Sequence, residues 1–143
     1  MQHLNSNTGT TTFEMNFTTA DGGGTIKVIS NDKQVGYANI HVANGHIKIH
    51  KLKIYKEHRN QNFGTDLMCF ILKWCKKNDV FSANVHACSG ITEEMMKRNE
   101  GLTQEKLVSF YEKYGFIKCH NDWLTLNFNP CCKNISRNVW GRC

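Results

Sequence analysis

Apolar positions along this chain recur with period two, then with a helical period, then with period two again. Residues 11–17 and 25–30 alternate β-branched or aromatic residues with others and predict two strands. Asp21-Gly22-Gly23-Gly24 between them supplies the turn of a hairpin. Residues 35–42 predict a third strand, and Asn44-Gly45 is a strong two-residue hairpin signal leading into a fourth over 46–54. In that fourth strand the apolar residues are Ile47 and Ile49, then Leu52 and Ile54. The alternation therefore slips by one near His50 and Lys51, and one extra residue in a strand predicts a β-bulge.

From Phe63 the period changes. Phe63, Leu67, Ile71 and Cys75, with Met68, Leu72 and Trp74 alongside, form a helical apolar stripe. Lys76 and Lys77 suit the negative end of that helix dipole. Phe81, Ala83, Val85 and Ala87 alternate as a fifth strand. Residues 91–99 predict a short helix and 103–114 a firmer one, closed by Gly115 in the C′ position. Residues 116–119 and 123–128 end the pattern as two strands. The expected order is ββββαβαββ with one extra short helix: a single domain over 1–143, its core about 11–128, followed by a polar tail at 129–143.

A length of 143 residues, 40% of them hydrophobic, fits one domain with one core. The longest apolar run, 67–72, is far shorter than the ~18 residues of a membrane span. The Thr- and Asn-rich start lacks the basic and apolar regions of a signal peptide. A cytoplasmic protein with no membrane partner is expected. The seven cysteines, Cys69, Cys75, Cys88, Cys119, Cys131, Cys132 and Cys143, include no C-x-x-C pair and are read as reduced thiols. His46 and His50 are four apart, a metal spacing on a helix, but four strand residues span about 13 Å, so no metal site is expected. The net charge of +6 and pI of 9.0 favour a polyanionic partner: nucleic acid, an anionic membrane surface or a phosphorylated cofactor.

Two segments carry candidate chemistry. Arg59-Asn60-Gln61-Asn62-Phe63-Gly64-Thr65 joins a strand end to a helix N-terminus, where free N–H groups and the positive dipole end suit a pyrophosphate. Gly64, without a Cβ, permits close approach. Later comes Phe110-Tyr111-Glu112-Lys113-Tyr114-Gly115-Phe116, where a helix ends and a strand begins. The bulged strand, the basic glycine-bearing loop and this aromatic segment, in that order, resemble the GNAT superfamily of N-acetyltransferases over roughly residues 35–128.

The resemblance implies an α/β fold with a mixed central sheet of about seven strands, a bulged fourth strand and flanking helices. It also implies acetyl-CoA as cosubstrate. The family loop Gln/Arg-x-x-Gly-x-Gly/Ala is matched by Arg59 and Gly64, while Asn62 stands at the first glycine; Asn tolerates left-handed backbone better than other non-glycine residues. By resemblance, the loop from Arg59 and Asn60 through Gln61, Asn62, Phe63, Gly64 and Thr65 holds the CoA pyrophosphate. Leu52, Lys53 and Ile54 offer backbone groups to the pantetheine arm, and Lys48, Lys51, Lys53 and Lys56 add favourable charge. Gln104 takes the place of an Asn that relatives often carry before the tyrosine helix, and is counted with the cofactor-binding residues.

Tyr111 matches the tyrosine that commonly sits beside the cofactor sulfur. With an ordinary pKa of about 10 it stays protonated at neutral pH and can act as general acid; Tyr114 is the alternative. Relatives often use a carboxylate as base, but 46–54 contains no Asp or Glu. His50, with an ordinary pKa of about 6.5, is the candidate, resembling the strand histidines of some arylalkylamine acetyltransferases; His86 on the neighbouring strand competes. The connection 88–102 is longer than usual, and its Glu93, Glu94 and Glu100 can attract a cationic acceptor. No residue stands out as a covalent nucleophile, so direct transfer to a primary amine, in a small molecule, a protein lysine or an N-terminus, is expected. A noncatalytic CoA-binding module is the alternative, motivated by Asn62 and Gln104. A basic nucleic-acid-binding protein is a distant third, since no aromatic-basic platform accompanies the charge. Monomer and homodimer both stay open.

Overall fold

In the computed structural model, which describes residues 11–128, seven strands form one sheet. They are β1 (Thr11–Phe17), β2 (Gly23–Ser30), β3 (Lys33–Ala43), β4 (His46–Ile54), β5 (Ser82–His86), β6 (Ile117–Lys118) and β7 (Trp123–Asn127). Their order is β1-β2-β3-β4-β5-β7-β6. Only the β4–β5 pair is parallel, as a strand-helix-strand crossover requires. The helices are α1 (Phe63–Lys77), α2 (Glu93–Lys97) and α3 (Gln104–Glu112). The expected tail at 129–143, with Cys131, Cys132 and Cys143, lies outside the described residues.

Two-residue turns drive the antiparallel half. Asn31 and Asp32 (φ 52° and 63°), Asn44 and Gly45 (54° and 79°), and Asn121 and Asp122 (50° and 64°) are each consecutive left-handed residues. That geometry matches the right-handed twist of the strands it joins. Only Asn44-Gly45 carries the hairpin signature in its sequence; Asn and Asp serve at the other two.

Cross-strand register puts the apolar residues on one face. Met15 lies opposite Ile26, Ile26 opposite Ala38, Ile47 opposite Ala83, and Ala83 opposite Leu126; all are buried. α1 covers this face through Phe63, Leu67, Phe70, Ile71 and Cys75, and Phe70 stacks on Phe13 of β1 with centroids 4.8 Å apart. The alternate positions are polar and lie partly open, as in Glu14, Lys27, Asn39 and Asn84.

The bulge falls at the predicted place. Asn39 pairs with Lys51, but Ile40 pairs with Ile49, leaving His50 as the extra residue. The buried phase shifts with it: Ile47 and Ile49 are buried before the bulge, while Leu52 and Ile54 are the more covered positions after it. α1 spans the predicted stripe. The expected helix over 91–99 is shorter, at Glu93–Lys97, capped by Thr92. The expected helix over 103–114 ends earlier, at Glu112 with Lys113 as its C-cap, so Gly115, which takes φ 98°, stands at C″ rather than at the expected C′.

Candidate functional site

The β4–β5 ladder runs from His46/Ser82 to Ile49/Val85 and stops at the bulge. Beyond His50, β4 is paired only with β3. Tyr55 N–H donates to the Val35 carbonyl at 2.8 Å, which makes Val35/Tyr55 a hydrogen-bonded pair. Alternation then makes Gly36/Ile54 and Ala38/Leu52 non-hydrogen-bonded pairs. The backbone N–H and C=O of Leu52 and Ile54 therefore turn away from β3, toward the side that β5 has left. Lys53, expected to offer its backbone as well, has the opposite parity and is engaged by Tyr37. The bulge thus both opens the sheet and sets which residues face the opening.

Chain direction then reverses through a 3-10 turn at Lys56–His58 into the loop before α1. Asn60 and Asn62 both take left-handed φ, 64° and 67°, so the asparagine at the expected glycine position keeps the loop shape that glycine gives. Asn62 caps α1 with no side-chain hydrogen bond. The first helical bond runs from Asp66 N–H to the Asn62 carbonyl. The N–H groups of Phe63, Gly64 and Thr65 precede it, and among the described residues nothing accepts from them. Three converging donors at a helix N-terminus form an anion seat. A Cβ built on Gly64 would lie 3.7 Å from the Phe110 ring and 4.0 Å from Ile54, so the protein itself leaves room for one.

Arg59 does not point freely into this seat. Its Nε donates to the Ile54 carbonyl at 2.9 Å and its Nη1 to the Asn99 carbonyl at 2.7 Å. Asn60 Nδ2 reaches Asn99 Oδ1 at 3.3 Å, and Asn99 Nδ2 reaches the Lys56 carbonyl at 3.1 Å. The long connection after β5 is thereby fastened onto the loop. Gln61 and Asn62 are exposed, as are Lys48, Lys51, Lys53 and Lys56. In the same connection Glu100 is paired with Arg98, whose hydrogen bond holds the carboxyl below its ordinary pKa; Glu93 and Glu94 are exposed in the first turn of α2.

Gln104 begins α3 and is engaged by the protein at both ends of its amide. Its Oε1 accepts from Ser89 N–H at 2.7 Å and its Nε2 donates to the Ala87 carbonyl. It acts as a clamp on the end of β5. Two turns further along α3, Tyr111 is only 2% exposed, with its ring 5.2 Å from Phe110 and 6.0 Å from Phe116. Burial pushes its phenol well above its ordinary pKa. Among the described residues nothing bonds to its hydroxyl. Tyr114 is likewise buried.

His50 stands exposed at the bulge, its ring edge-on to Trp123 with centroids 6.0 Å apart. His86, opposite Trp123 in the ladder, lies 4.9 Å from the same indole. Trp123 thus joins both candidate base histidines, a placement with no local signal because it comes from strand order. His46 keeps different company, bonded to Ser82 Oγ and against Phe81. A groove of about 500 Å³ runs between α3 and the β6–β7 hairpin, with Gln104, Val108, Glu112, Asp122 and Trp123 among its walls. Neither Tyr111 nor the α1 N-terminus lines it.

A family profile described as "Acetyltransferase (GNAT) domain" matches residues 22–118. No curated protein matched the sequence. Among solved structures, the chain is similar to the ribosomal-protein-S18-alanine N-acetyltransferase of Escherichia coli, at 12% identity, TM-score 0.59, covering 75% of this chain and 68% of that one. It is similar to a KacTA–DNA complex at 18% identity, TM-score 0.57, covering 83% and 74%. It is also similar to the PaiA N-acetyltransferase of Thermoplasma acidophilum in complex with coenzyme A, at 14% identity and TM-score 0.53, covering 71% of this chain. This chain spans only 57% of that Thermoplasma protein's length. At these identities the likeness is one of fold.

Proposed function

Since the chain belongs to the GNAT acetyltransferase family, we propose that it transfers the acetyl group of acetyl-CoA directly to a primary amine. The observation that carries this reading is the alignment of two features: the β4–β5 ladder ends at Ile49, just before the bulge at His50, and the N-terminus of α1, whose N-cap makes no side-chain hydrogen bond, follows shortly after β4. The first gives an extended arm a strand edge to lie along, and the second gives its pyrophosphate three N–H donors.

The amides of Gln61 to Thr65 bind the pyrophosphate. The outward backbone groups of Leu52 and the N–H of Ile54, whose carbonyl already accepts from Arg59, bind the pantetheine arm, with Lys48, Lys51, Lys53 and Lys56 adding charge at the exposed rim. Acetyl-CoA supplies an activated acyl group on a thiolate leaving group. His50 takes the proton that the amine sheds as its nitrogen bonds to the acyl carbon, and His86 is its competitor for that role. Tyr111 donates its phenolic proton to the thiolate as the carbon–sulfur bond breaks. Arg59, Asn99 and Gln104 act by positioning: the first two tie the loop, and Gln104 holds the end of β5. The groove beside Trp123 takes the acceptor.

The burial of Tyr111 favours one second reading, a CoA-binding module without turnover. Incubating the protein with acetyl-CoA and a panel of small primary amines and lysine- or N-terminus-bearing peptides separates the two. The enzyme reading predicts acetylated product by mass spectrometry matched by free CoA thiol. Binding of acetyl-CoA with no product across the panel would support the noncatalytic module.

A further inference from the structure

The end of β5 and the β6–β7 turn bring together three side chains that acetyl transfer does not require as a set. A ring nitrogen of His86, the sulfur of Cys88 and a carboxylate oxygen of Asp122 all lie within 4.8 Å of one another. We propose that His86, Cys88 and Asp122 form a site for a divalent transition-metal cation of the zinc type, at the rim of the groove beside Trp123.

The geometry is close to what such an ion needs. Ligand atoms 2.0–2.3 Å from a tetrahedral ion stand about 3.5 Å from one another. Cys88 and Asp122 are exposed, so small rotations of their side chains can close the remaining distance. The backbone that carries the ligands is already held. Ala87 N–H donates to the Asp122 carbonyl at 2.7 Å, fastening the turn to the strand midway between His86 and Cys88. Gln104 grips the Ala87 carbonyl and the Ser89 N–H, fixing Cys88 from both sides. His86 is set by its place opposite Trp123.

The donor set selects the metal. One thiolate, one carboxylate and one neutral imidazole balance a charge of two, and a mixed sulfur, nitrogen and oxygen set suits zinc; calcium and magnesium take oxygen ligands. Three protein ligands on an exposed rim leave a fourth position for water. His46 and His50, the pair whose spacing raises the question of metal in the sequence, have separate neighbours and take no part.

Cobalt(II) titration of the reduced full-length chain tests this directly. A thiolate-to-cobalt charge-transfer band saturating at one equivalent and bleached by zinc is expected. Cys88→Ser should abolish the band, and Asp122→Asn should weaken cobalt binding at least about tenfold. Both side chains are exposed, and Asn accepts the left-handed φ of residue 122, so circular dichroism should show both variants folded. Absence of the band, or wild-type cobalt binding in either variant, would overturn the proposal; the second result would place the metal on other cysteines.

Discussion

The hydroxyl of Tyr111 is buried without a hydrogen-bonding partner among the described residues, an arrangement that costs about 1–3 kcal/mol in the protein alone. Burial raises its pKa, so it carries its proton throughout the neutral range. Both properties fit the acid role proposed for it. Tyr111→Phe removes an unsatisfied polar atom and keeps the ring packing against Phe110 and Phe116. Thermal unfolding of this variant should be unchanged or shifted upward, while acetyl transfer should slow about 10²-fold or more. Equal rates in variant and wild type would remove the acid role. The aromatic segment around Tyr111 is legible in the sequence; its isolated hydroxyl is not, because it depends on what α3 packs against.

Among the elements, the bulge in β4 and the start of α1 frame the proposed cofactor site. Both are local features, and both can be read from the chain. The slip from Ile47 and Ile49 to Leu52 and Ile54 marks the bulge, and the stripe from Phe63 to Cys75 marks the helix. The left-handed geometry of Asn62 follows from the residue type at that position. What stays hidden is everything joined across the chain. Arg59 meets Asn99 forty residues away, and Gln104 meets Ala87 seventeen residues away, both through backbone carbonyls that no sequence pattern advertises. Arg59 and Gln104, both expected to touch cofactor, spend these groups on the protein's own backbone, and Lys53 is paired with Tyr37 in the β3–β4 ladder. Gly64 gives the sharpest test of the α1 seat. A Cβ there meets only ordinary van der Waals contacts, and alanine favours a helix by about 0.8–1.0 kcal/mol over glycine. Gly64→Ala should therefore hold or raise the unfolding temperature yet weaken acetyl-CoA binding at least about tenfold by calorimetry, since the methyl group stands where a phosphate approaches. Undiminished binding would move the pyrophosphate elsewhere.

Across the whole molecule, one apolar sheet face and one long helix provide the core, and Cys75 sits at its centre, fully buried. Burial pushes its thiol from an ordinary 9.0 up to about 12. A raised pKa means the folded state holds the proton more tightly, so this contribution is complete below pH 9 and is lost as pH rises toward 12. Stability should fall across that window by up to about 1.4 kcal/mol per pH unit. In Cys75→Ala the decline between pH 9 and 10, where unfolded tyrosines are still mostly protonated, should flatten; an unchanged slope in urea unfolding would assign it to another group. Among the described residues no helix is long and apolar enough to cross a membrane. The measurement that bears most directly on the account is thermal unfolding of the reduced chain with and without acetyl-CoA. Ligand at 100 times its dissociation constant should stabilise the fold by about 2.7 kcal/mol, giving a clear upward shift. No shift at millimolar acetyl-CoA would mean that the open edge of β4 and the N-terminus of α1 do not hold this cosubstrate.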